Sequence, residues 1–192
     1  WPKYEQSIRT ATRFLDNVID VNKYPVEEID INTKLTRRIW LGIMGIADLL
    51  FMLRIPYDSK EGYEFMSKLA ETLSYFSMDE SIVIAKSRGA FPSFEKTEYK
   101  NGSIPLSGYY EIPKDLHCYD WDSLIGKIKN YGIRNSWTTT IAPTGTLSMI
   151  SDVSNGVEPI FALVFEKRVT VGRFFYTNKV FENVLGFKER QE

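Results

Sequence analysis

The chain has 192 residues, 43% of them hydrophobic and 14% aromatic, which is enough apolar surface for a packed core and too much for a disordered tail. Its 24 Lys and Arg against 25 Asp and Glu leave a net charge of -1, which removes the electrostatic case for duplex nucleic acid or an anionic membrane surface as partner. One cysteine, Cys118, excludes a disulfide within the chain, and with the one histidine, His117, it falls short of the roughly four ligands of a structural zinc cage.

A cytoplasmic location is the expectation from this cysteine usage. The apolar runs, such as Ile39 to Ile43 and Ala47 to Leu53, stop well short of the ~20 residues of a membrane span, so no transmembrane helix is expected. The start at Trp1-Pro2, without an initiator Met or a signal peptide, leads us to expect a single fragment, residues 1–192, of a larger domain.

Apolar positions Tyr4, Ile8, Ala11, Leu15 and Val18 recur at helical spacing and predict an amphipathic helix ended by Asn22 to Pro25. Pro25 then suits the first position of a second helix, with Glu27 and Glu28 in its first turn, running to about Arg37. The glycine-punctuated run Arg38 to Gly45 predicts a buried strand that leads into a helix from Ile46 to Leu53. Ser59 can cap a long helix with a stripe of Tyr63, Met66, Ala70, Leu73 and Ser77, ended by Gly89. Residues 91–120, with three prolines and two glycines among tyrosines and charges, read as a surface excursion or lid.

Trp121, Leu124, Ile125 and Ile128 mark a short helix, opened by Asp120 or Asp122 and closed by Gly132. Residues 136–152 read as a strand from Ser136 to Ala142, a loop, and a helix from Thr146 onward. The stretch from Phe161 to Tyr176 is again aromatic and β-branched, and Asn178 suits the cap of a last helix to about Leu185. Strands separated by long helices give an α/β fold dominated by helix.

Chemistry concentrates at Ala142-Pro143-Thr144-Gly145-Thr146-Leu147-Ser148, where a predicted strand passes through a small hydroxyl-rich turn into a helix. Backbone N–H groups at such a helix start favour an anion, and Thr144, Thr146 and Ser148 add hydroxyl donors. Gly145 is expected to let a ligand approach the backbone and to take a positive φ. The same pattern suits an ordinary helix cap on Thr144 or Thr146, and both readings stand at this level. Without the Lys of a P-loop, a Walker-type nucleoside triphosphatase is disfavoured.

The run Thr140-Ile141-Ala142-Pro143-Thr144-Gly145-Thr146-Leu147-Ser148, followed by Gly156-Val157-Glu158-Pro159-Ile160-Phe161-Ala162, resembles the substrate-phosphate loop of ribonucleotide reductase catalytic subunits and the segment after it. Asn17 to Pro25 and Arg37 to Asp48 resemble two further stretches of that subunit in the same order. The approach Tyr131-Gly132-Ile133-Arg134-Asn135 is most similar to the adenosylcobalamin-dependent, class II branch.

The resemblance implies part of a ten-stranded α/β barrel whose full chain reduces the ribose 2'-hydroxyl of a ribonucleoside di- or triphosphate by thiyl-radical chemistry, with adenosylcobalamin as cofactor. It further implies as partner the remaining part of the catalytic chain, and it is compatible with a homodimer. Carried over to this sequence, Pro143, Thr144, Gly145, Thr146 and Ser148 would hold the substrate phosphates, with Pro143 also near the sugar or base. Cys118, flanked as Leu116-His117-Cys118-Tyr119-Asp120, lacks the family's Asn-x-Cys-x-Glu setting and receives no radical role. The isolated chain is therefore expected to be inactive. Trp40 stands where the family often has Gly.

Other residues have plainer readings. His117 and Cys118 are expected to be bystanders, since sequence neighbours seldom meet as a nucleophile and its base. Glu158 is read as holding the turn after the loop, and Arg37 and Arg38 as complementing a helix dipole. Tyr109, Tyr110 and Tyr119 are read as packing contacts. Two rivals stand beside the reductase: a small nucleotide- or phosphate-binding module without redox chemistry, and a helical interaction module in which the loop is only a cap.

Overall fold

A computed structural model describes residues 1–105, 117–169, 172–180 and 183. Helices dominate: α1 (Pro2–Val21), α2 (Glu27–Thr36), α3 (Ile46–Leu53), α4 (Lys60–Arg88), α5 (Trp121–Tyr131) and α6 (Leu147–Ser151), with one hairpin of β1 (Val164–Val169) and β2 (Gly172–Thr177). The chain forms two compact units, each assembled from separate stretches: residues 1–42 with 67–140, and residues 43–66 with 141–192. A boundary of this kind leaves no linker in the sequence, so composition could not reveal it.

In the first unit, α1 buries Ile8, Thr12, Asp16 and Ile19. This stripe shares only Ile8 with the predicted one; Val18 is 37% exposed. Apolarity alone set the predicted phase, whereas the fold also turns inward Asp16, which Arg37 and Asn135 meet, and Thr12, whose Oγ1 has no hydrogen-bond partner among the described residues. The second half of α4 is similar. Leu73 and Ser77 are buried as expected, but so are Thr72, Glu80 and Ser81, while Tyr63 is exposed. α2 begins at Glu27 after Val26, so Pro25 lies ahead of the helix and not at its first position.

The hydrophobic centre of this unit joins Met78 and Ile82 of α4, Leu124 and Ile128 of α5, Ile133, and the aromatics Phe91, Phe94 and Tyr99. Burying each such side chain is worth about 1.5–3 kcal/mol. The aromatics correct the reading of 91–120 as a surface excursion. Two short 3-10 helices, Phe94–Lys96 and Glu98–Asn101, carry them inward, and Tyr99 donates its hydroxyl to Ser136 O at 2.9 Å. Prolines and glycines had masked three large rings that needed burial; residues 106–116 of that segment lie outside the described ones.

Helix ends follow local chemistry. Asp120 Oδ1 accepts from Ser123 N at 2.9 Å to open α5, and Gly132 closes it at φ 72°. In the second unit, Ser59 Oγ accepts from Gly62 N at 3.0 Å.

The predicted strands 38–45 and 136–142 are corrected. They lie parallel through Ile39 N to Trp137 O at 2.9 Å, Leu41 N to Thr138 O at 3.0 Å and Thr140 N to Leu41 O at 2.9 Å, yet amount to one isolated bridge, Leu41 with Thr139. Parallel pairing is stable inside a sheet with neighbours on both sides, and among the described residues a single bridge joins the two stretches. Gly42 permits the approach, since a Cβ there would lie 2.8 Å from Thr140 O. The aromatic stretch after Phe161 does form strands, as an antiparallel hairpin that pairs Val164 with Thr177. The predicted last helix is described at residues 179 and 180; its remainder to 185 falls largely outside the described residues.

Candidate functional site

The second unit holds a cavity of about 590 Å3 lined by Gly145, Thr146 and Ser148 from the loop, by Asp48 from the first turn of α3, and by residues of the hairpin and of the segment between α6 and β1. Its volume is in the range of pockets that bury a small ligand. Met149, Ile160 and Phe161 give it apolar wall, and Asp152, Glu158 and Lys179 charged wall. Lys179 donates to Asp152 in an ion pair.

Loop residues divide by role. Thr144 takes a left-handed conformation at φ 51°, and its Oγ1 accepts from Gly156 N at 2.8 Å. This contact satisfies a backbone donor, which offsets the conformational cost of a β-branched residue at positive φ. Ser148 is 1% exposed and donates its hydroxyl to Asn155 Oδ1 at 2.5 Å. Thr146 precedes α6, makes no side-chain cap bond, and lines the cavity. Pro143 is exposed. Thus Gly145, Thr146 and Ser148 line the cavity, while Thr144 braces the loop from behind.

Gly145 departs from expectation. It is not among the positive-φ residues, and a Cβ built on it meets nothing within 4 Å. The left-handed turn has moved to Thr144, where the bond to Gly156 holds it. The cap reading also changes, because neither threonine caps α6 through its side chain.

Behind the loop lies a set of contacts not foreseen from the sequence. Asp48 is 4% exposed. Its Oδ2 accepts from Ser154 N at 2.5 Å and its Oδ1 from Asn178 Nδ2 at 2.8 Å. Asp48 N donates to Ser154 Oγ at 3.3 Å, and Gly45 N donates to Ser154 O at 2.8 Å. The signal was an aspartate in the otherwise apolar run Ile46 to Leu53, a place where burial demands partners. Asn178, read as a helix cap, gives its amide to this carboxylate.

The residues set aside from the sequence lie in plain structural settings. Cys118 is exposed, and partial burial together with the Glu71 carboxylate pushes its thiol above the ordinary value, which disfavours the reactive thiolate. His117 meets Trp121 edge to face at 6.4 Å. Tyr119 stacks on Tyr75 at 4.7 Å and shares a 3.1 Å hydrogen bond with Thr72 Oγ1, in line with its reading as packing; Tyr109 and Tyr110 lie outside the described residues. Glu158 donates its backbone N–H to Asn155 O at 3.0 Å, as a turn residue would.

Arg37 does not merely complement a helix dipole. It is 4% exposed, and its guanidinium donates to Asp16 Oδ1 at 2.8 Å and Asp20 Oδ1 at 2.7 Å. Arg38 and Trp40 are exposed.

These features sit in a recognisable lineage. A family model described as ribonucleotide reductase, barrel domain, matches residues 1–191, and the chain belongs to that family. Among curated proteins it is 39% identical over 181 residues to the vitamin B12-dependent ribonucleoside-diphosphate reductase of Thermoplasma acidophilum, covering 94% of this chain and 20% of that protein. It is 34% identical over 186 residues to the ribonucleoside-diphosphate reductase subunit alpha of Chlamydia pneumoniae, covering 92% and 18%. It is 31% identical over 176 residues to the ribonucleoside-diphosphate reductase large subunit of Vaccinia virus, covering 92% and 23%. The chain therefore spans about a fifth of the length of the curated relatives it matches. Among the described residues no helix is long and apolar enough to cross a membrane, and no group of His, Cys, Asp and Glu suits a metal ion.

Proposed function

We propose that this chain is part of a ribonucleotide reductase that converts ribonucleoside diphosphates to deoxyribonucleotides, and that residues 143–148 hold the substrate's phosphates. The observation that carries the reading is the cavity walled by Gly145, Thr146 and Ser148 in a chain of this family. α6 has only five residues, too few for a developed macrodipole, so loop amides and the Thr146 hydroxyl are the groups that grip. Thr144 Oγ1 bonds Gly156, and Ser148 Oγ bonds Asn155 and Gly145 O, contacts that keep the loop in shape. Pro143 stiffens the entry to it.

The barrel closes in the full chain, of which this is one portion, and the radical and recycling cysteines belong to other portions. Cys118 takes no part, and the isolated chain is inactive. The vitamin B12 dependence of the Thermoplasma relative and the Tyr131 to Asn135 segment support a cobalamin cofactor for the whole protein. A corrinoid is far larger than this cavity, and His117 packs against Trp121. The described residues therefore do not form its seat.

The test is Thr146→Ala in the complete reductase, with dissociation constants measured for a ribonucleoside diphosphate and for the matching nucleoside. The diphosphate should lose about 1.5–3 kcal/mol if the hydroxyl bonds the phosphate directly, with the nucleoside little changed. Equal losses for both ligands, or no loss even when Thr144, Thr146 and Ser148 are all replaced by alanine, would sink the phosphate assignment.

A further inference from the structure

The loop hydroxyls do not act alone. Three consecutive residues, Ser154, Asn155 and Gly156, follow α6, and each is tied by a different side chain. Asp48 Oδ2 accepts from Ser154 N, Ser148 Oγ donates to Asn155 Oδ1, and Thr144 Oγ1 accepts from Gly156 N. Ser154 is the most tightly held, since its N–H, its carbonyl and its hydroxyl all bond the start of α3. Asp48 is the one charged side chain in this set, and it also lines the cavity.

A carboxylate is a poor neighbour for a phosphate, because like charges repel most strongly where water is scarce. Its presence on this wall therefore calls for a use other than binding the ligand. Its two oxygens accept from two donors at once, Ser154 N–H and the Asn178 amide, and a neutral Asn could not do so. An Asn offers one oxygen, and its NH2 would be set against a donor.

We propose that Asp48 is a positioning residue for the phosphate-binding loop, holding the Ser154–Gly156 turn so that Thr144, Thr146 and Ser148 are in place before an anionic substrate arrives. This rests on the phosphate-loop reading above. Its contribution is to remove the ordering cost from the binding step, which is the advantage of a preorganised site.

The sign of one substitution separates this role from a bystander's. In the complete reductase, Asp48→Asn removes a negative charge beside the cavity. Were Asp48 only an electrostatic neighbour, a ribonucleoside diphosphate would bind more tightly. If it positions the loop, the diphosphate binds roughly tenfold or more weakly, as expected for a lost charged hydrogen bond, while the matching nucleoside is little changed. Asp48→Glu, which keeps the carboxylate one methylene further out, should recover part of the loss. Unchanged or tighter diphosphate binding in Asp48→Asn would overturn the proposal.

Thr146→Ala runs beside it as the control. If Thr146→Ala weakens diphosphate binding and Asp48→Asn does not, only the positioning role falls; if binding is unaffected even with Thr144, Thr146 and Ser148 all replaced by alanine, the phosphate-loop reading falls first. Should Asp48→Asn not fold, amide hydrogen exchange in the unaltered reductase decides. The Ser154 and Gly156 amides should already be protected without nucleotide, and fast exchange that slows only on diphosphate binding would overturn preorganisation.

Discussion

Asp16 in the first unit and Asp48 in the second are both almost closed to water, at 0% and 4% exposure, and they are satisfied in opposite ways. Asp16 meets charge. Arg37 donates to it from Nε at 3.0 Å and Nη2 at 2.8 Å, Asn135 adds its amide at 2.9 Å, and Arg88 and Arg134 stand at 3.4 and 3.5 Å. Asp48 meets neutral donors, a backbone N–H and an amide. In the first case, the electrostatic cost of burial is answered by a guanidinium, and the result is a lock between α1 and the end of α2. In the second, the carboxylate fixes main chain beside a cavity. Loss of the first should therefore appear in stability, and loss of the second in binding.

The strongest way to break the comparison is Arg37→Met. It leaves Asp16 to the Asn135 amide and to Arg88 and Arg134 at 3.4 and 3.5 Å, and removal of one partner from a buried pair costs up to about 3–5 kcal/mol. Denaturant unfolding should show a loss in that range, and replacing Asp16 with Leu in the same protein should recover much of it. A change below about 1 kcal/mol would place the lock elsewhere.

Acid titration sharpens the same contrast. The hydrogen bond from Arg37 holds the Asp20 carboxyl below its ordinary value, against partial burial, which raises it, and with the help of the Arg37, Arg134 and Arg88 charges. A carboxyl depressed in the folded state stabilises at pH above its unfolded value, and that contribution fades as pH falls through the folded one. Stability should therefore drop as the pH is lowered past the ordinary carboxylate range, and the drop should be shallower in Arg37→Met. Parallel pH profiles for the two proteins would show that Asp20 draws nothing from Arg37.

The smallest effect is expected at Gly145→Ala. With no positive φ to defend and no atom within 4 Å of a new Cβ, unfolding stability should stay within about 0.5 kcal/mol of the parent. A larger loss would mean that the loop needs glycine for a reason other than its conformation or crowding. Retained stability with weakened diphosphate binding would show that the added methyl meets the ligand.

What the sequence determined by itself was local. The range of α3, the Asp120 cap and Gly132 stop of α5, and the Ser59 cap of α4 were legible because each depends on residues a few positions apart, whose geometry the helix dictates. The loop from Pro143 to Ser148 was singled out through its resemblance to a family, and Gly145, Thr146 and Ser148 of it line a cavity. Tertiary structure alone decided what lies far apart in the chain. Asp16 meets Arg37 and Asn135, and Asp48 meets Ser154 and Asn178, over separations that no periodicity encodes. It also decided that Phe91, Phe94 and Tyr99 go inward, and that the stretches around Leu41 and Thr139 remain a single bridge. The physical reason is the same throughout. A hydrophobic pattern reports which side chains avoid water, whereas a buried carboxylate such as Asp16 or Asp48 is held where the fold supplies its partners, and those partners can come from anywhere in the chain.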